Sequence, residues 1–251
     1  FPTRRSSDLK EKRKSTTYLE REAGTAWVVN EKGDRHCYPL ILSHSESVLS
    51  QLHEPHLYPE LSQLREIIRS WRFYHHFRTD IDSPIRRPQI GIQTPVLSNN
   101  GLDLACALQT IIEIGDHLTL EKSIDAAFPG SQLIIKAEQS RFEILLKQPG
   151  MKRAFEAREL SDGTLKYLCL IAALLSPRPA RFLALNEPEM SLHSDLIKPL
   201  AQLIYEASRF SQIWVTTHCK VLTSYLTQLS NTDPILLDKT SGFTTLLIKS
   251  E

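Results

Sequence analysis

Apolar residues along this chain change rhythm more than once, and each rhythm predicts an element. Thr25 to Asn30 is apolar and β-prone, Glu31-Lys32-Gly33-Asp34 is turn chemistry, and His36 to Leu42 is apolar again, which predicts a hairpin. Pro59 opens a helical pattern in which Leu61, Leu64, Ile67, Ile68 and Trp71 recur every three or four residues. Phe73, Tyr74 and Phe77 extend that pattern. Pro84, Pro88 and Pro95 then mark irregular chain, long enough to serve as a functional or interface loop. Helical spacing returns at Leu102 to Ile114 and Leu118 to Phe128, stopped by Pro129-Gly130. Leu133 to Ala137 and Phe142 to Lys147 read as two strands about a polar turn.

From Leu160 the pattern alternates between helix and strand. Gly163 to Leu175 is a predicted helix, Arg181 to Leu185 a buried strand, and Leu196 to Ser208 a helix. Ser211 to Thr217 is a second buried strand, followed by a helix from about Val221. Continuous apolar strands separated by helices predict a parallel α/β sheet. No internal repeat or low-complexity tract interrupts the pattern.

Composition narrows the class without naming a function. The 251 residues are 41% hydrophobic and 24% charged, which is ordinary for a globular protein with a sizeable core. A formal net charge of +1 gives no global electrostatic case for nucleic acid. Cys37, Cys106, Cys169 and Cys219 are widely spaced and form no C-x-x-C pair, so reduced thiols and a cytoplasmic location are expected. No apolar run approaches the ~20 residues that span a bilayer, and no membrane partner is expected. The chain opens on Phe1-Pro2 without an initiator Met, and Phe1 to Leu9 fits none of the patterns above. A foreign or disordered segment over residues 1–9, joined to a truncated protein, is therefore expected.

Four short elements carry candidate chemistry. Leu160-Ser161-Asp162-Gly163-Thr164 opens a helix, where Ser161 can cap and Gly163 lets an anion approach backbone N–H groups. A plainly capped helix would look the same. Phe182 to Leu185 is an apolar strand that delivers Asn186-Glu187-Pro188-Glu189 at its carboxyl end, where open α/β sheets bind ligands. Ser191-Leu192-His193 follows, with helix capping by Ser191 as the plain alternative. Trp214 to Thr217 is a strand that ends in His218. Ser161 and Asn186 lie 25 residues apart, and Glu187 and His218 lie 31 apart. Each gap holds one helix and one strand, so all four elements can reach one edge of a single sheet.

Taken in order, these strings resemble the second half of an ABC-type P-loop ATPase. LSDGT is similar to the signature LSGGQ, LNEPEMSLH to the Walker B and D-loop string LDEPExSLH, and TTH to the switch-histidine loop. WRFYHHFR, TPVL, LQTI and AFPG look like a bacterial family of AAA family predicted ATPases related to the RecF and structural-maintenance-of-chromosomes group. The resemblance runs from about Tyr18 to the C-terminus. It implies an ABC-type P-loop fold, with a parallel sheet, flanking helices and a β-hairpin/helical insertion region. Residues 10–158 would form that insertion region and 159–251 the ATPase core.

The resemblance also implies ATP and Mg²⁺ as cofactors and an ATP-dependent homodimer. Ser161 and Gly163 would contact the γ-phosphate in trans. Asn186 would support the water shell of the metal, Glu187 would orient the attacking water, and His218 would face the γ-phosphate. Ser191 and His193 would form the D-loop. A nucleic acid or unknown protein partner fits the same engine, as in DNA-repair or phage-defence ATPases of the RecF or overcoming-lysogenisation type. So does a non-catalytic, ATP-responsive dimerisation module.

Two departures qualify this reading. None of the nine glycines is followed by Lys and no two lie five apart, so the phosphate cradle G-x-x-x-x-G-K-[ST] is absent from these 251 residues. The isolated chain is expected to bind ATP poorly. Asn186 stands where most P-loop ATPases place Asp, and its amide oxygen brings no charge to a metal shell. Among other features, His75-His76 reads as a solvated helix face. Lys10 to Lys14 reads as a surface run, and Arg86-Arg87 is a candidate for phosphate or partner contact.

Overall fold

The computed structural model describes residues 18–29, 34–52, 54–240 and 243–247. They form two compact units that divide between Ser70 and Trp71. The segment Phe1 to Leu9, the Lys10 to Lys14 run and the Glu31-Lys32-Gly33 turn lie outside the described residues.

The first unit is a three-stranded antiparallel sheet with two helices. Its strands are β1 (Leu19–Glu22), β2 (Thr25–Val29) and β3 (Arg35–Cys37), in the order β1-β2-β3. Ala26 and Val28 alternate inward from β2 and are almost wholly buried. The expected second hairpin strand is shorter than predicted: β3 ends at Cys37, and beyond it only single backbone bonds, from Tyr38 to Ala26 and from Leu42 to Gly24, hold the chain while Tyr38 and Leu42 bury their side chains. β1 was not legible, since Leu19-Glu20-Arg21-Glu22 has no apolar alternation and joins β2 through its backbone. Helix α1 (Val48–Gln51) is capped by Ser47, and α2 (Pro59–Arg69) starts with Pro59, whose missing N–H costs nothing at a first turn. Leu61 from α2 joins Val28, Leu42, Val48 and Leu52 in a small core.

Helix α2 ends at Arg69, eight residues short of the pattern that predicted it. Ser70 closes the helix, with its Oγ donating to the Ile67 carbonyl at 2.6 Å. Arg72–Tyr74 is instead strand β4. Phe73 and Tyr74 share the three-residue spacing of the helix only by coincidence. The tie is broken by tertiary pairing, which buries Tyr74 and lets its hydroxyl donate to the Leu97 carbonyl at 2.9 Å.

The second unit, which begins at Trp71, layers helices against two sheets. After β4 come the short β5 (Gln89–Ile90), α3 (Leu104–Ile114), α4 (His117–Ala127), β6 (Gln132–Glu138), β7 (Arg141–Lys147) and β8 (Phe155–Glu156). The order of this antiparallel sheet is β5-β7-β6, with β8 paired to β7. Gln139 and Ser140 both take positive φ in the β6–β7 turn, as a two-residue hairpin requires.

The chain then continues through α5 (Asp162–Leu174), β9 (Phe182–Asn186), α6 (Ile197–Ala207), β10 (Gln212–Thr216) and α7 (Lys220–Ser230). It ends, among the described residues, in a hairpin of β11 (Leu236–Thr240) and β12 (Phe243–Leu247). β9 pairs in parallel with β10 on one side and with β4 on the other. The molecule is thus a mixed α/β protein with a parallel sheet and flanking helices.

Helix α5 is apolar on every side from Tyr167 to Leu174 and is buried through that stretch, as an all-apolar helix must be. The strands beside it differ from prediction. Their side chains alternate, with Leu183, Leu185, Ile213 and Val215 packed into or against the core while Trp214 and Thr216 are exposed. One face of the parallel sheet is covered and the other is open, so β10 is half-buried rather than buried. Among the described residues no helix is long and apolar enough to cross a membrane.

Candidate functional site

The parallel register determines what reaches the carboxyl edge of the sheet. Thr216 is the partner of Asn186, so the last residues of β10 and β9 stand side by side. The Thr216 hydroxyl donates to Asn186 Oδ1 at 2.6 Å. One residue on, the Glu187 N–H donates to the Thr216 carbonyl at 2.8 Å. Beyond the strands, His218 Nε2 lies 3.4 Å from Glu187 Oε1, with the imidazole almost fully exposed and the carboxylate about two-thirds covered. Three of the residues expected to act together, Asn186, Glu187 and His218, are therefore brought together.

The turn after β9 is conformationally unusual. Glu187 takes φ of 43° and Ser191 φ of 65°, both left-handed for residues that carry a Cβ. Such conformations cost on the order of 1–3 kcal/mol and persist only where surroundings impose them. Here the Met190 N–H donates to the Glu187 carbonyl at 3.1 Å and the Leu192 N–H to the Glu189 carbonyl at 3.0 Å. Thr217 Oγ1 donates to Glu189 Oε1 at 2.5 Å, and in turn accepts from the Cys219 N–H. Among the described residues, none hydrogen-bonds the buried Glu189 Oε2.

A cleft of about 700 Å³ gathers the remaining candidates, with Ser161, Gly163, Ser191 and His193 in its lining beside Phe128 and Leu192. Ser161 caps α5, where its Oγ accepts the Thr164 N–H at 3.1 Å. Packing alone requires glycine at 163. A Cβ there would stand 2.8 Å from the Ser191 carbonyl oxygen, a backbone atom that cannot swing away. The start of α5 and the turn after β9 thus approach too closely for a side chain at 163. The capping expected of Ser191 falls instead to His193, whose Nδ1 accepts the Asp195 N–H at 3.4 Å. Ser191 is left to form the positive-φ corner.

Arg86 overturns the expectation that it is available for phosphate or a partner. It is only 7% exposed, and its guanidinium is spent inside the protein. Nε donates to the carbonyls of Thr79 and Asp80, and Nη1 donates to those of Ala157, Arg158 and Leu160. Nη2 reaches the Thr79 carbonyl and Asp162 Oδ1, the latter at 2.5 Å. The segment that enters α5 is therefore held by a buried arginine from the proline-marked loop. This pairing also offsets the carboxylate of Asp162 at a helix N-terminus suited to anions.

Lys166 is the one charged residue between Leu165 and Leu175, and nothing around it in the sequence marks it as part of the site. Its Nζ donates to the Met190 carbonyl at 2.6 Å and the Glu187 carbonyl at 3.3 Å. Burial lowers its amine below the ordinary value, against the partly offsetting carboxylates of Glu189 and Glu187. Among the described residues no three His, Cys, Asp or Glu side chains are arranged to hold a metal ion. The donor set at the sheet edge is an amide, a hydroxyl and a carboxylate. It suits a metal held through water and phosphate, rather than an all-protein cage.

Comparison with known proteins adds a family. Residues 33–222 match the profile described as "AAA domain, putative AbiEii toxin, Type IV TA system". No curated protein matches the chain. Among solved structures, the Smc head domain with a coiled coil and joint from Pyrococcus yayanosii is similar at a TM-score of 0.45 and 23% identity, over 57% of this chain and 28% of that one. A structure concerned with ATP-driven dimerization and DNA stimulated activation of SMC ATPases gives 0.44 and 23%, over 56% and 85%. The SMC head domain from Thermotoga maritima gives 0.42 and 18%, over 93% and 73%. The chain thus spans little more than a quarter of the first of these proteins.

Proposed function

The chain belongs to the family described as "AAA domain, putative AbiEii toxin, Type IV TA system", and from that premise we propose that it supplies the signature, water-orienting and γ-phosphate-facing parts of an ABC-type ATPase. The observation that carries this reading is the cluster at the carboxyl edge of the parallel sheet, where His218 Nε2 stands 3.4 Å from Glu187 Oε1 beside the Asn186–Thr216 pair.

Bound Mg²⁺-ATP would supply the electrophilic γ-phosphoryl group and the charge that the site must stabilise. Glu187 orients water through a carboxylate held by its strained turn, and His218 stands beside it, facing the γ-phosphate. Asn186 contributes an uncharged oxygen toward the metal's water shell. Ser161 and the backbone at Gly163 present hydrogen-bonding groups at the positive end of α5 to the γ-phosphate of a second protomer. Ser191 and His193 line the same cleft as the D-loop. The phosphate cradle G-x-x-x-x-G-K-[ST] does not occur in these 251 residues, so this reading needs phosphate contacts that they do not supply, and the working unit it implies is an ATP-sandwiched homodimer.

In the natural protein that contains these residues, Glu187→Gln lowers turnover by about a hundredfold or more and leaves ATP binding in place. Unchanged turnover in a steady-state phosphate-release assay would falsify the role given to Glu187.

One observation favours a second reading. Asn186 Oδ1 already accepts the Thr216 hydroxyl, so it offers a metal shell only its remaining lone pair, and that without charge. On that reading the output is ATP-driven dimerisation with little hydrolysis. Asn186→Asp separates the two. A working ATPase changes by no more than severalfold, whereas a dimerisation module gains turnover from near zero.

A further inference from the structure

The start of α5 is joined to the turn after β9 by one side chain. The helix N-terminus carries Ser161 and Gly163 into the cleft. One turn later Lys166 leaves the helix and donates to the carbonyls of Glu187 and Met190, the first and fourth residues of the turn after β9. That turn is strained at Glu187 and Ser191, and nothing in its own sequence, which lacks glycine, favours those conformations. Lys166 is the charged donor that reaches both carbonyls from outside the turn. The charges of Glu189 and Glu187 favour its ammonium form, and Thr217 donates to Glu189 Oε1.

We infer that Lys166 is a positioning residue, which holds from the signature helix the backbone turn that aims Glu187. The inference rests on the role given to Glu187 above. An ammonium suits this task because it offers three donors on a long stem and can satisfy two carbonyls of different direction. Without it, both carbonyls lose a charged donor and the left-handed turn relaxes, so the Glu187 carboxylate moves off the line of attack. Displacement on the scale of an ångström at such a group costs up to a hundredfold in rate. The helix that touches nucleotide in one site is thereby tied to the residue that orients water in the other.

The test uses the natural protein that contains these residues, with Lys166→Met and Lys166→Gln compared against wild type. Hydrogen exchange at the Met190 and Leu192 amides reads the turn itself, without nucleotide. Both variants accelerate it severalfold on the inference, and unchanged protection in either overturns it. In steady-state assays, Lys166→Met lowers kcat roughly tenfold or more while KM for ATP shifts less than twofold. Combined with Glu187→Gln, it still forms the ATP-bound dimer. A loss carried by KM or by dimerisation, or a kcat within twofold of wild type, overturns the positioning role. Should Lys166→Met fail to fold, Lys166→Gln, neutral but still a donor, decides by the same kcat criterion. If wild type itself neither turns over ATP nor dimerises with it, the proposed function fails instead, and the exchange result still reports on the turn.

Discussion

At the scale of single residues, much of the site depends on groups that hold backbone rather than on groups that meet a ligand. Arg86 is the clearest case, with one buried guanidinium serving the carbonyls that lead from the antiparallel sheet into α5. Its ion pair with Asp162 contributes little by itself, because that carboxylate is 60% exposed. The larger effect comes from the buried carbonyls, each of which costs roughly 1–3 kcal/mol when its donor is removed. Arg86→Met should therefore destabilise the second unit by several times the effect of a surface substitution. Thermal unfolding of the variant should show a fall of about 2–4 °C for each kcal/mol lost. A midpoint within one degree of wild type would show that water replaces the guanidinium freely. From sequence Arg86 looked like a free cation, because nothing in Pro84-Ile85-Arg86-Arg87 distinguishes a buried arginine from an exposed one. Asn186, Glu187 and His218 were legible because strand ends and their spacing place them together. Lys166 and Arg86 were not, because their partners are carbonyls that leave no mark on sequence.

At the scale of elements, the segment before α5 adds a pH-sensitive tie. Glu159 is pushed down to about 2, chiefly by its hydrogen bond from Arg153 and then by the Glu156 N–H. Its folded value lies below the ordinary 4.5. The stability it contributes is therefore complete above about pH 4.5 and is lost as pH falls toward 2. In Glu159→Gln, the drop in melting temperature across that window should be shallower than in wild type. Parallel curves for the two proteins would count against the tie. The elements themselves were largely legible. Helices α3, α4, α5, α6 and α7, and strands β6, β7, β9 and β10, all form within a few residues of where periodicity put them. α2 and β4 were not separable, since Trp71 to Phe77 satisfies helical spacing and strand composition at once. Only pairing with β9, from a distant part of the sequence, decides between them. β1 lacked a periodic signal because Glu20, Arg21 and Glu22 follow Leu19 without apolar alternation, and Leu236 to Lys239 of β11 are exposed.

At the scale of the molecule, a parallel sheet places one strand end beside another and leaves a face open. Phe73, Phe182 and Trp71 cluster on that sheet with ring centroids 5.3 to 6.4 Å apart, and Phe73 and Trp71 remain partly exposed. The cleft that holds Ser161 and Gly163 is a separate feature, lined by α5 and the turn after β9. On the proposed reading, this cleft completes the site of a second protomer while Glu187 serves its own. Mixing two inactive variants of the natural protein tests that division directly. Ser161→Arg blocks the cleft and Glu187→Gln removes the carboxylate proposed to orient water, yet a mixed dimer retains one site with both parts intact. An equimolar mixture should recover roughly a quarter of wild-type ATP turnover, because random pairing makes half the dimers mixed and gives each of them one complete site. Turnover no higher than the sum of the two variants alone would contradict the account.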